Sequence, residues 1–254
     1  MIDIHSHVLF GLDDGAKTIE ESVAMLQMAA ENGTTDLVAT PHANPQYSFD
    51  PGLIEERRQQ LEAAAGGAVR LYTGCDFHLS YDNIQDALAQ PRKYTINHQC
   101  YLLVEFSDLL IFKNTAEIFG RLADAGMIPI VTHPERNALL RQRVDEIASW
   151  VDQGAYVQVT AQSLTGRFGR RAREFSRVLL DRRLVHIIAS DAHDCESRPP
   201  VLREAHQWLC EYYGEALADT LTTGNPGATL TGESLELPAA AVASSSRRWY
   251  QIWR

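Results

Sequence analysis

Nowhere does the sequence hold the roughly 18–20 consecutive apolar residues that crossing a bilayer requires, so no integral membrane segment is expected. The chain opens Met1-Ile2-Asp3-Ile4-His5, without a basic region, a long apolar run or a cleavage site, so no export signal is read there. Cysteine is scarce: Cys75, Cys100, Cys195 and Cys210 are the four in 254 residues, widely spaced and without a CxxC pair. Such a set does not form a disulfide framework, and a cytoplasmic location is expected. Positive charge is short as well. Lys plus Arg number 23 against 33 Asp plus Glu, a net charge of −10. That balance speaks against a nucleic-acid partner, which needs a basic face to displace counterions.

Three phosphate-handling motifs are also missing. No cysteine is followed six positions later by Arg; the residues found there are Tyr81, Phe106, Val201 and Ala216. There is no G-x-S-x-G elbow and no G-x4-G-K-[ST] loop. A cysteine phosphatase of the C-x5-R type is thereby excluded, and metal-activated water is the nucleophile that remains.

What is present is an ordinary globular composition, 45% hydrophobic and 22% charged, long enough for one large domain or two small ones. One unit repeats along it: a short apolar run, polar residues, an amphipathic helix, often a closing Gly. The spacing predicts strands at Ile2–Ile4, Asp36–Ala39, Arg70–Thr73, Tyr101–Val104, Ile128–Val131, Tyr156–Val159 and Val185–Ala189. Thr18 and Glu21 have capping-box spacing ahead of a helix that Gly33 should stop. Helices over Thr115–Ala125 and Val144–Gln153 should close at Gly126 and Gly154. Alternating strands and helices imply an α/β fold with parallel pairing, and this many units favour a (β/α) barrel over an open doubly wound sheet. The domain should finish near Asn225-Pro226, giving a barrel over 1–230 and a flexible tail over 231–254. Within that tail, 237–246 has linker composition, and 247–254 is basic and aromatic, a loose end or a docking peptide.

Chemistry-bearing residues track the strand ends. His5 and His7 follow the first strand, His42 the second, Asp76 the third, Glu105 the fourth, His133 the fifth, Asp191 and His193 the seventh. In a parallel barrel these ends converge where active sites form. Imidazole and carboxylate together suit Zn, Mn or Fe. His5-x-His7 on an extended strand turns both rings to one face, and Asp191-x-His193 repeats the spacing. Taken singly, His133 or Glu105 could equally cap a strand or pair with a buried cation. Together, His5, His7, Asp191 and His193 would be costly to bury without an ion. His78, His98, His186 and His206 lack the pattern and are expected to be structural or exposed. Arg136 and Arg198 lie a few residues past ligand-bearing strand ends, where a guanidinium fork could grip phosphate.

The stretches Ile2-Asp3-Ile4-His5-Ser6-His7, Asp13-Asp14-Gly15, Thr40-Pro41-His42, His133-Pro134-Glu135-Arg136 and Ser190-Asp191-Ala192-His193 with Arg198-Pro199-Pro200 resemble the polymerase-and-histidinol-phosphatase (PHP) superfamily. Within it the chain is similar, over about residues 1–230, to the bacterial capsule and exopolysaccharide tyrosine phosphatases of the CpsB/YwqE type. The resemblance implies a distorted (β/α)7 TIM-like barrel with two or three metal ions, Mn2+ the usual activator and Zn2+ or Fe alternatives. It implies one ion on His5, His7, Asp76 and Asp191, and a second on Asp76, Glu105 and His133, Asp76 bridging. A third would sit on Asp14, His42 and His193, with Arg136 and Arg198 holding phosphate. The bridging residue of the family is usually Glu, and here it is the shorter Asp76. The implied substrate is a phosphotyrosine protein, a bacterial tyrosine kinase of polysaccharide export. The alternatives are a small-molecule phosphatase of the histidinol-phosphate kind, a DNA-processing exonuclease disfavoured by the net charge of −10, and a non-catalytic metal-binding module.

Overall fold

The computed structural model describes residues 1–236, which form parallel strands wrapped by helices. The strands are β1 (Ile2–Ser6), β2 (Asp36–Ala39), β3 (His42–Ala43), β4 (Arg70–Thr73), β5 (Asp76–His78), β6 (Tyr101–Glu105), β7 (Ile128–Thr132), β8 (Tyr156–Thr160) and β9 (Ile187–Ala189). Between and after them run α1 (Ile19–Glu31), α2 (Pro51–Ala65), α3 (Tyr81–Ala89), α4 (Thr115–Asp124), α5 (Val144–Asp152), α6 (Ala161–Thr165), α7 (Gly169–Asp181), α8 (Arg203–Tyr213), α9 (Glu215–Asp219) and α10 (Asn225–Thr231). No helix among the described residues is long and apolar enough to cross a membrane.

Hydrogen bonding joins β1-β2-β4 in one ladder and β3-β5-β6-β7-β8-β9 in another, every pair parallel. The predicted strands Asp36–Ala39 and Arg70–Thr73 are found with those bounds, and each is followed, after a break, by a second short strand that the sequence reading did not include. β2 halts at Thr40-Pro41, where proline offers no N–H to a ladder, and β3 resumes at His42. β4 halts at Gly74-Cys75, and β5 resumes at Asp76. Counted as continuous, these make seven strands. The ring closes where Ser6 bridges Ala192, with Asp191 N–H donating to His5 C=O and His7 N–H to Ala192 C=O, both at 2.8 Å. The distortion lies between β4 and β6, where the first half of β6 packs on the 3-10 turn Ile96–His98 instead of on β4. β9 is shorter than the expected Val185–Ala189, because the His186 ring nitrogen Nδ1, not a backbone carbonyl, accepts the Val157 N–H at 3.2 Å.

The strands are apolar almost throughout because both faces are covered. Ile4, Val38, Leu103, Ile130 and Ile187 fill the inside of the ring, and helices cover the outside. Helix boundaries follow local chemistry. The Thr18 hydroxyl accepts the Glu21 N–H at 3.3 Å, while the Glu21 carboxylate reaches back past Thr18 to the Lys17 N–H at 2.6 Å. Gly33, Gly126 and Gly154 take the positive φ that ends α1, α4 and α5.

The C-terminal boundary is corrected by the structure. Asn225-Pro226 opens α10, a position that suits proline because the first turn needs no donor there. Residues 231–236, assigned by sequence to the tail, dock on the barrel. Tyr101 OH donates to Glu233 C=O at 2.7 Å, Asn225 exchanges hydrogen bonds with the Glu236 backbone, and Leu235 is buried. The predicted linker 237–246 and the basic aromatic segment 247–254 lie outside the described residues.

Candidate metal centre

The strand ends deliver their polar side chains to one place. Four groups of possible ligand atoms, each spanning no more than 4.8 Å, share members: His7, Asp14, His42 and His193; His5, His7 and Asp76; His5, His133 and Asp191; His42, Asp76 and Glu105. All nine residues read from the sequence as ligands are therefore brought together. The grouping differs in detail from the one the resemblance implies. His7 joins the Asp14 group, and Asp191 lies with His133. Asp76 belongs to two groups, as a bridging carboxylate would.

Distances within the cluster match the edges of a coordination sphere better than hydrogen bonds. His5 Nε2 is 3.5 Å from Asp76 Oδ2 and 3.4 Å from Asp191 Oδ1, and His7 Nε2 is 3.3 Å from Asp191 Oδ1. His42 Nε2 and His193 Nε2 are 3.3 and 3.4 Å from Asp14 Oδ1. Ligands ~2.1 Å from a tetrahedral ion lie about 3.4 Å from one another. His5 Nε2, His7 Nε2, His42 Nδ1 and both oxygens of Asp76 are buried without a hydrogen-bond partner. Buried polar atoms are costly to leave unpaired, and five converging on one point fit a set of divalent ions.

Other residues aim these ligands. Asp13 Oδ2 lies 2.6 Å from His7 Nδ1, and Gln158 Oε1 lies 3.0 Å from His5 Nδ1, so the Nε2 of each ring faces the centre. Asp13 also accepts the N–H groups of Gly15 and His42, at 2.9 and 3.1 Å. His133 and Asp191 have φ of 34° and 53°, a strained region for residues with a Cβ. Both follow the last residues of strands, and the turn there directs their side chains into the mouth.

Arg136 Nη1 and Arg198 Nη2 both contact Asp191 Oδ2, the second at 2.5 Å. Asp191 thus offers Oδ1 to the imidazoles and Oδ2 to the guanidiniums. The Phe168 ring lies 4.4 Å from the Arg136 guanidinium and 5.9 Å from that of Arg198. Glu135, fully buried, accepts from Thr160 N–H and Ser163 Oγ–H at 3.0 and 2.7 Å, anchoring the turn that carries His133 and Arg136.

Asp13, Gln158 and Phe168 were given no role in the sequence reading. Asp13 stood inside the Asp-Asp-Gly motif, and Gln158 is a polar residue in the otherwise apolar run Tyr156–Val159; either was a usable signal. His78, expected to be structural or exposed, is partly exposed and lies 3.6 Å from Glu105, outside the ligand groups. It stands two residues after Asp76 on β5 and so shares that face. His98 is exposed, His186 is buried against Tyr156, and His206 pairs with Asp219 at the surface, as expected.

The electrostatics favour bound positive charge. Burial disfavours the ionised forms of Asp76 and Asp191, yet the facing His5 outweighs it, and both stay well below the usual carboxylate range. Burial likewise opposes a charged His7, but Asp13 reverses this and raises its pKa to about 9. Burial opposes charge at His42 as well, but the carboxylates of Asp14 and Asp76, 3.3 and 3.2 Å away, overcome it and raise its pKa to about 11. Burial and Arg136 lower His133 to about 3. In metal-free protein, protons on His7 and His42 balance the carboxylates. A histidine with a raised pKa stabilises the fold fully below its unfolded value of 6.5, and that contribution disappears as pH climbs through the folded value. The melting temperature of metal-free protein should therefore fall from near pH 6.5 to 9 and beyond. A flat or rising trend in scanning calorimetry over that window would contradict this charge assignment.

Comparison with known proteins adds to the geometry. The family model "Capsular polysaccharide synthesis, CpsB/CapC" matches residues 1–231. CapC of Staphylococcus aureus is 34% identical over 99% of this chain and 100% of its own length. The tyrosine-protein phosphatase YwqE of Bacillus subtilis strain 168 is 32% identical over 87% of this chain and 89% of its own. A chain from the crystal structures of YwqE and of CpsB from Streptococcus pneumoniae, described as metal-dependent tyrosine phosphatases, superposes with a TM-score of 0.87. It is 30% identical and covers 94% of this chain and 100% of its own.

Proposed function

This chain belongs to the CpsB/CapC family of capsular polysaccharide synthesis, and from that premise we propose that it is a metal-dependent protein-tyrosine phosphatase. The observation that carries the reading is the convergence of unpaired buried ligand atoms from His5, His7, His42 and Asp76 beside two guanidinium forks. The proposed ligands are His5, His7, Asp14, His42, Asp76, Glu105, His133, Asp191 and His193, taking two or three ions. Mn2+ is the proposed activator, with Zn2+ or Fe as alternatives. Asp76 would be the residue shared between ions, as its Oδ2 lies 3.5 Å from His5 and 3.2 Å from His42, members of different ligand groups.

When bound, such ions would supply hydroxide by acidifying water and would draw charge from the phosphoryl oxygens. The chain's own residues do the rest. Asp13 and Gln158 hold the rings of His7 and His5 in place. Arg136 and Arg198 present planar forks to the equatorial oxygens, with the Phe168 ring 4.4 Å from the first guanidinium and 5.9 Å from the second. No thiol competes as nucleophile, since burial raises the pKa of each cysteine and keeps it protonated. A tyrosine leaving group suits this arrangement, because a phenolate of pKa ~10 departs more readily than an alkoxide. The proposed substrate is a phosphotyrosine-bearing tyrosine kinase of polysaccharide export, met in the cytoplasm.

Chelation should abolish turnover of a phosphotyrosine peptide, and added Mn2+ should restore it. The same preparation should prefer that peptide to histidinol phosphate. Full activity without metal, or a preference for histidinol phosphate, would overturn the proposal.

A further inference from the structure

We propose that an arginine-lined groove beside the metal centre docks an acidic, Asp/Glu-bearing flank of the phosphotyrosine-bearing polypeptide. This extends the phosphatase reading above and rests on it. The groove encloses about 510 Å³ between Arg136, Arg141, Phe168, Arg170 and Arg171. It is continuous with the centre through Arg136, whose Nη1 contacts Asp191 and whose guanidinium lies on Phe168.

Its charge runs against that of the molecule. In a chain of net charge −10, residues 167–173 read Arg-Phe-Gly-Arg-Arg-Ala-Arg, with four cations and no acid. Arg170 and Arg171 sit in the first turn of α7, where the helix dipole favours acidic side chains, and this turn has none. Nor does a side chain cap that end of the helix. Stability therefore gives no reason for cations there, whereas an anion lying across them would relieve the repulsion. The guanidiniums are available. Arg171 has no acidic partner among the described residues, and Arg170 has only an exposed 2.7 Å pair with Glu174, a type of contact worth little. Arg141 is held by the carbonyls of Glu135 and Arg136 at 3.0 and 2.7 Å, which fixes its fork at the groove. Arginine forks match carboxylate and phosphoryl oxygens alike.

The test compares phosphotyrosine peptides flanked by Glu, by Gln, or by Gln plus a second phosphotyrosine. Each is assayed on the full-length wild-type protein and on the double variant Arg170→Glu/Arg171→Glu, with p-nitrophenyl phosphate as a substrate that has no flank. Wild type should process the Glu peptide about tenfold more efficiently than the Gln peptide in kcat/KM. A preference for the second phosphotyrosine without one for Glu would overturn the acidic-flank assignment. The double variant should lose the Glu preference yet turn over p-nitrophenyl phosphate normally, and raising salt to about 0.5 M should erase the preference in wild type. Fluorescence anisotropy of an unphosphorylated Glu-rich peptide gives a readout independent of turnover. If no phosphotyrosine peptide is hydrolysed but this peptide still binds wild type and not the double variant, the phosphatase reading fails and the docking surface stands. Equal handling of Glu, Gln and doubly phosphorylated peptides by wild type would overturn the inference. So would oligo-dT binding as tightly as the Glu-rich peptide, which would mark a nucleic-acid surface.

Discussion

Replacing Asp191 by alanine is expected to lower phosphotyrosine turnover by roughly a thousandfold or more, the scale of losing a principal electrostatic element of a site. The expectation follows from how many groups share this carboxylate. Oδ1 faces His5, His7 and His193 at 3.4, 3.3 and 3.7 Å, and Oδ2 takes Arg136 and Arg198. Alanine would take away a ligand and leave two guanidiniums facing the imidazoles with their shared anion gone. Bound metal, read by elemental analysis, should fall together with activity. His206→Ala is the matched control: that ring pairs with Asp219 at 2.8 Å on α8, away from the strand ends, and its loss should change turnover little. Comparable losses in the two variants would mean that the strand-end cluster is not the reacting centre.

Gly15→Ala should be nearly as damaging, although residue 15 ligates nothing. A Cβ there would lie 2.0 Å from the carbonyl oxygen of His7 and 2.5 Å from the His7 Cβ, distances no packing tolerates. Backbone has to move, and the loop it belongs to carries Asp13 and Asp14. The fold should lose about 1–3 kcal/mol, the usual cost of overpacking. The larger effect is on the site, since Asp13 would release the His7 ring and Asp14 would withdraw from His42 and His193. A metal titration followed by calorimetry should show weakened binding and a lowered melting temperature together. An alanine variant with unaltered metal affinity would show that the 13–15 loop is free to shift without consequence.

Much of this site was legible in one dimension because a parallel barrel turns sequence order into spatial order. Each strand end is a known place, so His5, His42, Asp76, Glu105, His133 and Asp191 could be gathered by position alone. What escaped depends on distance across the ring. Gln158 supports His5 from 153 positions away, and nothing local to Tyr156–Thr160 names its partner. The short strands His42–Ala43 and Asp76–His78 went unread because two or three residues carry too little pattern, and only the pairing shows that they belong to a different ladder from β2 and β4. The docking of residues 231–236 was missed for a related reason: a polar stretch reads as tail until Tyr101 and Asn225 supply partners for its backbone.

Those short strands have a consequence for how the centre can change over generations. His42 and Asp76 stand on segments of two and three residues, joined rung to rung at His42–Asp76. The longer rods beneath, β2 and β4, pair with each other, and β2 with β1, through separate rungs. A ligand on so brief a segment can be exchanged for a shorter or longer homologue, and the rim takes up the difference by sliding a fraction of a rung. The floor of the barrel is left undisturbed. Aspartate at 76, one methylene shorter than glutamate, stands on the rim side of that break, where a small shift leaves the rods beneath in register.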